Sequence, residues 1–227
     1  MGNPEFAVPS LKKLAASNHE ILSVVTNPPK PAGRGRKHIN TPVAKCAEDL
    51  NLNVMEIDNL NSEDTIQNLQ KLNADVFTVV AYRILPKEII AIPAKGSINL
   101  HGSLLPKYRG AAPIQWSLIN GDSETGLTTF ILQPKVDTGN VLQQKKIAID
   151  QDDNYGSLAE KMSNAGAELL VETMDEFEKG NLNPYAQDDV KATTARKISA
   201  EMTIINWQKS AQEIHNLIRG LTPSPGV

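Results

Sequence analysis

An asparagine and a histidine stand two positions apart at the end of one apolar run. In the segment INLHGSLLPKYRGAAPIQW, residues 98–116, these are Asn99 and His101. Side chains two apart on a β-strand point to the same side, so both can face one point while Leu100 faces away. An asparagine carboxamide and a protonated imidazole are hydrogen-bond donors, and two donors that converge on a developing alkoxide form an oxyanion site. The spacing therefore predicts a site that stabilises negative charge on a carbonyl oxygen.

A carboxylate close to this histidine would favour the charged imidazole. The best candidate is Asp137, because the tetrapeptide VDTG, residues 136–139, forms a tight loop between two predicted strands. Neither feature is specific alone, since a single histidine at a strand end is more often structural and Asp-Thr-Gly is a common turn sequence. The run SLLPKYRGAAPIQW, residues 103–116, has no ordinary structural explanation. Its combination with the three polar residues favours the catalytic interpretation.

Short apolar runs alternate with amphipathic segments in the first half of the chain. They predict strands at 21–26, 75–82 and 96–101, separated by helices at 9–17, 42–50 and 62–72. The runs are largely continuous and contain β-branched residues, as expected for strands buried on both faces of a parallel sheet. We therefore predict an α/β fold with a doubly wound, mostly parallel sheet. Ligands bind beyond the carboxyl ends of the strands in such sheets, where Asn99 and His101 lie.

The second half of the chain predicts a strand pair and one long helix. Strands at 127–133 and 141–149 flank the loop that carries Asp137. A helix is expected over 157–179, with Ser157-x-x-Glu160 as a capping box at its start. The loop with Asp137 thus lies between two regular elements, which can hold its carboxylate in place.

The tail and the opening of the chain differ from the middle. Residues 181–206 show no clear strand or long helix, and we expect a tether there. A short helix follows, with Ser210-x-x-Glu213 near its start and Gly220 at its end. The chain opens with MGNPEF, already at a turn, although the first strand of such a sheet usually has a central position. Without it, neighbouring strands would leave backbone groups unpaired at about 1–3 kcal/mol each, so we expect a chain cut short at both ends.

The composition excludes several classes of protein. The 227 residues carry a formal net charge of −3, 40% hydrophobic residues and one cysteine. A single cysteine forms no internal disulfide, and no Cys/His cluster has the spacing of a metal site. No apolar run reaches the roughly 18 residues of a membrane span, and the amino-terminal residues do not resemble a signal peptide. We expect a cytoplasmic monomer without a structural metal and without membrane contact.

One basic segment departs from this acidic balance. Residues 27–41, NPPKPAGRGRKHINT, hold Lys30, Arg34, Arg36 and Lys37 and no acidic residue. Proline and glycine exclude a helix through much of the segment, and it follows the carboxyl end of a predicted strand. A solvated loop is the simpler interpretation. A basic loop at the mouth of an active site can instead bind the phosphates of a nucleic acid.

The central motif resembles the signature of the folate-dependent formyltransferases. Asn99-x-His101 is followed by SLLP at 103–106 and by YRGAAPIQ at 108–115. The AAPIQ form is similar to the branch of the family that acts on methionyl-tRNA. The same branch is matched by GNPEFAVPSL at 2–11, PAGRGRK at 31–37, VVAYRILP at 79–86, VDTGNVL at 136–142 and INWQKSAQEIHNLIRGLTPSP at 205–225. The resemblance therefore covers essentially the whole chain.

The resemblance implies a role for each matching residue. The catalytic residues of the family fall on Asn99, His101 and Asp137. The turn that holds tetrahydrofolate falls on Ser103, Leu104, Leu105 and Pro106, and the pterin pocket on Arg83, Ile84, Leu85 and Val136. The loop that contacts the tRNA acceptor stem falls on Arg34, Arg36 and Lys37.

The same resemblance implies a domain order and a reaction. The implied fold is a Rossmann-like formyltransferase domain at 1–187, a linker at 188–206 and, at 207–227, the beginning of a C-terminal β-barrel domain that binds tRNA. The implied activity is transfer of the formyl group of 10-formyltetrahydrofolate to the α-amino group of initiator methionyl-tRNA, without a metal.

Three alternatives to this reaction stay open. They are a formyltransferase that acts on a sugar-nucleotide amine, a glycinamide-ribonucleotide formyltransferase, and a truncated folate- or RNA-binding remnant without activity. The segment PAGRGRK, residues 31–37, argues against the first, and the tail beyond residue 190 argues against the second.

Overall fold

The computed structural model describes residues 1–32 and 37–227. The helices are Val8–Ala15 (α1), Pro42–Asp49 (α2), Glu63–Lys71 (α3), Lys87–Ile90 (α4), Pro113–Ile119 (α5), Tyr155–Glu178 (α6) and Ala211–Leu221 (α7). The strands are Val24–Thr26 (β1), Lys30–Ala32 (β2), Lys37–Ile39 (β3), Val54–Glu56 (β4), Phe77–Val80 (β5), Ser97–His101 (β6), Arg109–Gly110 (β7), Glu124–Ile131 (β8), Val141–Ala148 (β9) and Thr194–Ala195 (β10). Short 3-10 helices lie at Glu5–Ala7, Asp189–Lys191 and Ala200–Thr203.

The main sheet has four strands in the order β5, β6, β8, β9. β5 and β6 pair in parallel, whereas β6, β8 and β9 pair antiparallel. β1 and β4 form a further parallel pair. The predicted α/β fold is confirmed, but the pairs β6–β8 and β8–β9 are antiparallel. For β8 and β9 the reason is the length of the chain between them. The connection over residues 132–140 is too short for the crossover of about a dozen residues that a parallel pair requires.

Met1 and Gly2 lie between β1 and β5. The Gly2 amide donates to the Val25 carbonyl at 3.0 Å, and the Val80 amide donates to the Met1 carbonyl at 2.9 Å. The sequence predicted unpaired backbone groups between these strands. The Val25 carbonyl and the Val80 amide are instead paired with the first two residues of the chain.

Alternation along β6 separates the core from the polar residues. Ile98 and Leu100 are buried in the larger core cluster, against α1, α5 and α6. Val79, the parallel neighbour of Asn99, belongs to the second cluster, which contains residues of α3 and α4. Asn99 and His101 thus share the face of the sheet that points away from the larger core, as the alternation predicted.

Two helix ends differ from the sequence prediction. The capping box of α6 is formed by Asn154 and Ser157, each side chain accepting from the other residue's amide at 3.1 Å, so the helix begins earlier than predicted. The predicted capping box of α7, Ser210 with Glu213, is present. Gly220 lies inside α7, in its last turn, and not after the end of the helix. A Cβ at this position would lie 2.7 Å from the Ile119 side chain of α5. The glycine therefore serves close helix packing.

Part of the basic segment forms an antiparallel strand pair. The segment was predicted to be a loop, but β2 and β3 pair, with Lys30 opposite Ile39 and Pro31 opposite His38. Proline is compatible with this arrangement, since it needs no ladder donor on an edge strand. Arg34 and Arg36 lie outside the described residues, as does the side chain of Lys37.

Asp153 connects the end of β9 to the start of α6. Its buried carboxylate accepts hydrogen bonds from the Ser157 hydroxyl at 2.7 Å, the Lys161 ammonium at 2.8 Å and the Asp150 amide at 2.9 Å. Burial raises the pKa of Asp153, but these hydrogen bonds outweigh burial and hold its pKa below the ordinary value.

We expect Asp153→Asn to lower the free energy of unfolding by about 1–3 kcal/mol at pH 7, because one of the two acceptor oxygens becomes an NH2 group and the negative charge that pairs with Lys161 is lost. A lowered pKa means that the carboxylate stabilises the fold above its unfolded pKa near 3.9 and loses this effect as the pH falls through its folded pKa. Urea unfolding at pH 7 and pH 3 should therefore give a smaller difference at pH 3. The exposed neighbour Asp152→Asn is the control, and an equal loss in it would contradict the assignment.

No helix within the described residues is long and apolar enough to cross a membrane.

Candidate active site

A cavity of about 1260 Å³ opens at the carboxyl ends of β5 and β6. Asn99, His101 and Asp137 all line it. The first two come from the end of β6, and Asp137 comes from the loop between β8 and β9. The structure therefore brings together the three residues that the sequence singled out for chemistry.

The His101 ring is held in one orientation. It is 7% exposed, and its Nε2 lies 2.9 Å from the Tyr108 carbonyl oxygen. A carbonyl only accepts, so Nε2 must carry the proton. Nδ1 lies 3.7 Å from Asp137 Oδ2, in ion-pair range when the ring is protonated. Because Nε2 is engaged, Nδ1 is the nitrogen that can act on a substrate beside the carboxylate.

The Asp137 carboxylate is fixed from a second loop. Oδ2 accepts a hydrogen bond from the Gly110 amide at 2.8 Å. The backbone at Asp137 is left-handed, with a φ of 51°. Such a conformation is uncommon outside glycine and persists where surrounding contacts enforce it. The carboxylate thus faces the imidazole because its own backbone is constrained.

Asn99 is the least constrained member of the group. Its side chain is half-buried and lines the cavity. Within residues 1–32 and 37–227, no hydrogen bond engages its carboxamide, which is also absent from the buried groups that lack partners. The amide is therefore available to donate to a bound molecule.

Tyr108 orients the histidine through its backbone, a role that residue patterns did not reveal. Its own φ is 59°, which turns the carbonyl toward His101. The hydroxyl donates to Asp122 Oδ2 at 2.7 Å and accepts from the Asn120 amide at 3.0 Å. Burial, together with the nearby Asp122 carboxylate, raises the pKa of Tyr108 to about 12, so the phenol stays neutral. These contacts anchor the turn that holds the imidazole.

The turn over residues 103–106 lies beside the cavity and contributes nothing to its lining. Ser103 and Leu105 are buried, and the Ser103 hydroxyl donates to the Lys107 carbonyl. Thr128 ties the turn to β8, since its hydroxyl donates to the Ser103 carbonyl at 2.6 Å and accepts from the Leu105 amide at 3.0 Å. The loop that connects β6 to α5, residues 102–112, is here called the catalytic loop. In this structure Ser103, Leu104, Leu105 and Pro106 shape it, and their direct contact with folate stays a prediction.

The segment predicted for the pterin pocket forms one wall of the cavity. Arg83, Ile84, Leu85 and Val136 all line it. The Arg83 guanidinium is tied down, because it donates to the carbonyls of Ile57 and Asp58 at 2.6 Å. Leu85 is buried, whereas Ile84 is 73% exposed. The wall therefore presents mainly apolar groups and backbone.

A segment predicted as a tether packs against the catalytic loop. Residues 185–196, here called the strap, contain β10, which pairs with β7. The Ala195 carbonyl accepts from the amides of Ala111 and Ala112. Gly110 has a φ of 122°, and a Cβ there would lie 2.7 Å from the Ala195 oxygen. The strap thus fixes the loop next to His101, an arrangement that no local sequence pattern indicated.

Comparison with known proteins identifies relatives along the whole chain. Residues 1–174 match the Formyl transferase family, and residues 197–227 match the Formyl transferase C-terminal domain. The chain is 47% identical to the methionyl-tRNA formyltransferase of Caldanaerobacter subterraneus subsp. tengcongensis, over 100% of this chain and 74% of the relative. It is 48% identical to the enzyme of the same name from Thermodesulfovibrio yellowstonii, over 99% of this chain and 73% of the relative.

The fold is also found in solved structures. An N-formyltransferase from Helicobacter canadensis, in complex with folinic acid and dTDP-3-aminofucose, superimposes with a TM-score of 0.71. The match covers 96% of this chain and 78% of the other, at 22% sequence identity. At this identity the likeness establishes a common fold.

Proposed function

The chain belongs to the methionyl-tRNA formyltransferase family, and from this we propose that it transfers the formyl group of 10-formyltetrahydrofolate to the α-amino group of initiator methionyl-tRNA. The observation that carries the proposal is the cavity at the end of β6, where the Asn99 carboxamide, which no described residue engages, lies with the His101–Asp137 pair. These groups suit a reaction in which negative charge grows on a carbonyl oxygen.

The nucleophile requires little activation. A free α-amino group has a pKa of about 7.7–8.0, so an appreciable fraction is neutral at neutral pH. Its nitrogen lone pair attacks the formyl carbon, a C–N bond forms, and the carbonyl π electrons move to the formyl oxygen. A water molecule or the Asp137 carboxylate then accepts the proton that the amine releases.

The enzyme's main task is to stabilise the tetrahedral intermediate. Asn99 donates from its amide, and protonated His101 donates from Nδ1 with Asp137 as its counter-ion. The loss of one oxyanion donor costs roughly 2.7–4 kcal/mol of transition-state stabilisation in well-studied enzymes. The intermediate collapses when the bond from the formyl carbon to N10 breaks and N10 takes up a proton. The products are N-formylmethionyl-tRNA and tetrahydrofolate.

The folate is proposed to bind with its pterin against Arg83, Ile84 and Leu85 on one side and Val136 on the other. A pterin edge carries hydrogen-bond donors and acceptors, which backbone groups of two loops can read. The tied guanidinium of Arg83 would then act by shaping its loop. Ser103, Leu104, Leu105 and Pro106 would support the folate from the neighbouring turn.

The tRNA is proposed to contact the basic segment, residues 27–41, through Arg34, Arg36 and Lys37. The support is the charge of this segment and its position after β1, at the same edge of the fold as Asn99. The division into a catalytic domain at 1–187, a linker at 188–206 and the start of a tRNA-binding domain at 207–227 also remains a proposal.

We expect Arg34→Ala to lower kcat/KM for methionyl-tRNA about tenfold and to leave folate affinity unchanged, because the proposed role of this cation is a phosphate contact with the tRNA and not a contact with the folate. Steady-state kinetics with each substrate varied in turn measures the effect on methionyl-tRNA separately from the effect on folate. Lys71→Ala is the matched control, since Lys71 ends α3 and a crossover helix ends at the opposite edge of the sheet. An equal loss for tRNA and folate would contradict the assignment.

The proposed reaction is tested by offering two acceptors side by side. Initiator methionyl-tRNA and a nucleotide-linked amino sugar are each incubated with the full chain and 10-formyltetrahydrofolate. Mass spectrometry then detects the formylated amine. Transfer to methionyl-tRNA alone supports the proposal. Transfer to the amino sugar alone would reassign the acceptor, and folate binding without transfer to either would favour a remnant without activity.

A further inference from the structure

We propose that Gln187 is a positioning residue that holds the Asp137 loop in its catalytic conformation. The proposal rests on the function proposed above. Gln187 belongs to the strap, outside residues 98–116 and beyond the 1–174 match to the Formyl transferase family. Its side chain nevertheless connects the two loops that build the site.

The Gln187 carboxamide makes four hydrogen bonds. Its Oε1 accepts from Arg109 Nε at 3.0 Å and from Arg109 Nη2 at 2.7 Å. Its Nε2 donates to the Asp137 carbonyl at 2.9 Å and to the Gly139 carbonyl at 2.8 Å. The carboxamide oxygen and nitrogen thus make all their hydrogen bonds with residues of the two loops that build the site.

These contacts bear on a backbone that needs support. Asp137 has a left-handed φ of 51°, a conformation that surrounding structure must enforce. Gly139 lies so close to the Ile131 carbonyl that no Cβ fits there. A single amide that bonds both carbonyls fixes this turn at the point from which the Asp137 carboxylate reaches toward His101.

Arg109 connects Gln187 to the loop that follows β6. The Arg109 side chain is only 12% exposed, and Nη2 also forms an ion pair with Asp189 at 2.7 Å. Arg109 directly precedes Gly110, whose amide donates to Asp137 Oδ2. Gln187 therefore holds both partners of the Gly110–Asp137 hydrogen bond. It holds the donor through Arg109, the residue before Gly110, and the acceptor through the backbone carbonyl of Asp137.

The test replaces Gln187 with two residues of similar length. Gln187→Met removes all four hydrogen bonds, and Gln187→Glu keeps an acceptor for Arg109 but loses the donor to the two carbonyls. We expect both variants to lower kcat about tenfold at saturating substrates, since small displacements of a catalytic group reduce rate strongly. Val190→Ala, in the same strap and 94% exposed, is the control and should retain kcat.

A double-mutant cycle separates positioning from general stability. If Gln187 acts through the carboxylate, Gln187→Met adds little to the loss already caused by Asp137→Ala, measured in single-turnover experiments. A merely structural strap residue would lower the rate by the same factor in both backgrounds, and that result would overturn the proposal. Unchanged kcat in Gln187→Met would overturn it as well.

A second readout does not depend on activity. Hydrogen exchange at the Gly110 amide should be faster in Gln187→Met than in the wild type and unchanged in Val190→Ala. Exchange that is equal in all three proteins would overturn the proposal even if the wild type formylated no acceptor. Failure of the wild type to formylate methionyl-tRNA would count against the proposed function alone.

Discussion

We expect Asn99→Ala to lower kcat for formyl transfer by about a hundredfold or more. The carboxamide of Asn99 faces the cavity, and no described residue engages it, so its hydrogen-bond donor is free for the formyl oxygen. The donor matters most when that oxygen carries negative charge, and its loss should therefore affect kcat more than folate binding.

Single-turnover formylation of methionyl-tRNA at saturating folate measures this loss, and titration with folate measures binding separately. Asn68→Ala is the matched control, because Asn68 is exposed on α3. Its kcat should equal that of the wild type. A kcat near the wild-type value in Asn99→Ala would remove this residue from the mechanism.

The second large effect is expected from His101→Ala, which should also lower kcat about a hundredfold or more. The variant removes the ring that donates to the formyl oxygen in the proposed mechanism, and it leaves the buried Asp137 carboxylate without the imidazole nitrogen that lies 3.7 Å from it. In the proposed mechanism Asn99 and His101 donate to one oxygen, and the double variant should then lose less than the product of the two single losses.

Tyr108→Phe provides the control for His101. Tyr108 orients the imidazole through its backbone carbonyl, which the substitution retains. Loss of the hydroxyl contacts with Asp122 and Asn120 should reduce stability with only a small change in kcat. A loss of kcat as large as that of His101→Ala would indicate that the phenol itself takes part in the reaction.

Asn99 and His101 were predictable from the sequence because their placement depends on local rules. Side chains two residues apart on a strand point to the same side of the sheet. The carboxyl ends of the strands in an α/β sheet face the ligand site. Asp137 could not be assigned from local rules alone, since a carboxylate in a turn indicates a functional site only together with the formyltransferase motif. Its left-handed backbone was not predictable, because it depends on contacts from other loops.

The strap could not be predicted for a related reason. Gln187 contacts Arg109 and Asp137 across long stretches of chain, and no periodicity or composition marks such a contact. The turn of Tyr108 is held in the same way by Thr193, whose hydroxyl accepts from the Tyr108 amide. Sequence patterns therefore indicated the three polar residues that meet in the cavity but not the residues that position them.

Several features of the fold were also beyond local patterns. The antiparallel edge of β8 and β9 depends on which neighbours the strands find. The pairing of β2 with β3 was missed because the prolines and glycines of this segment indicated a loop. The start of α6 had two candidate capping boxes in the sequence. The structure forms the one between Asn154 and Ser157, so Ser157 lies in the first turn and does not cap the helix with Glu160.

The central claim is that Asn99, His101 and Asp137 surround one carbonyl derived from the folate. A crystal structure with a folate analogue that carries a hydrated aldehyde in place of the formyl group tests it directly, since the hydrate mimics the tetrahedral intermediate. We expect one hydrate oxygen about 2.7–3.1 Å from both Asn99 Nδ2 and His101 Nδ1. A hydrate that points to solvent, with neither nitrogen in contact, would contradict the account.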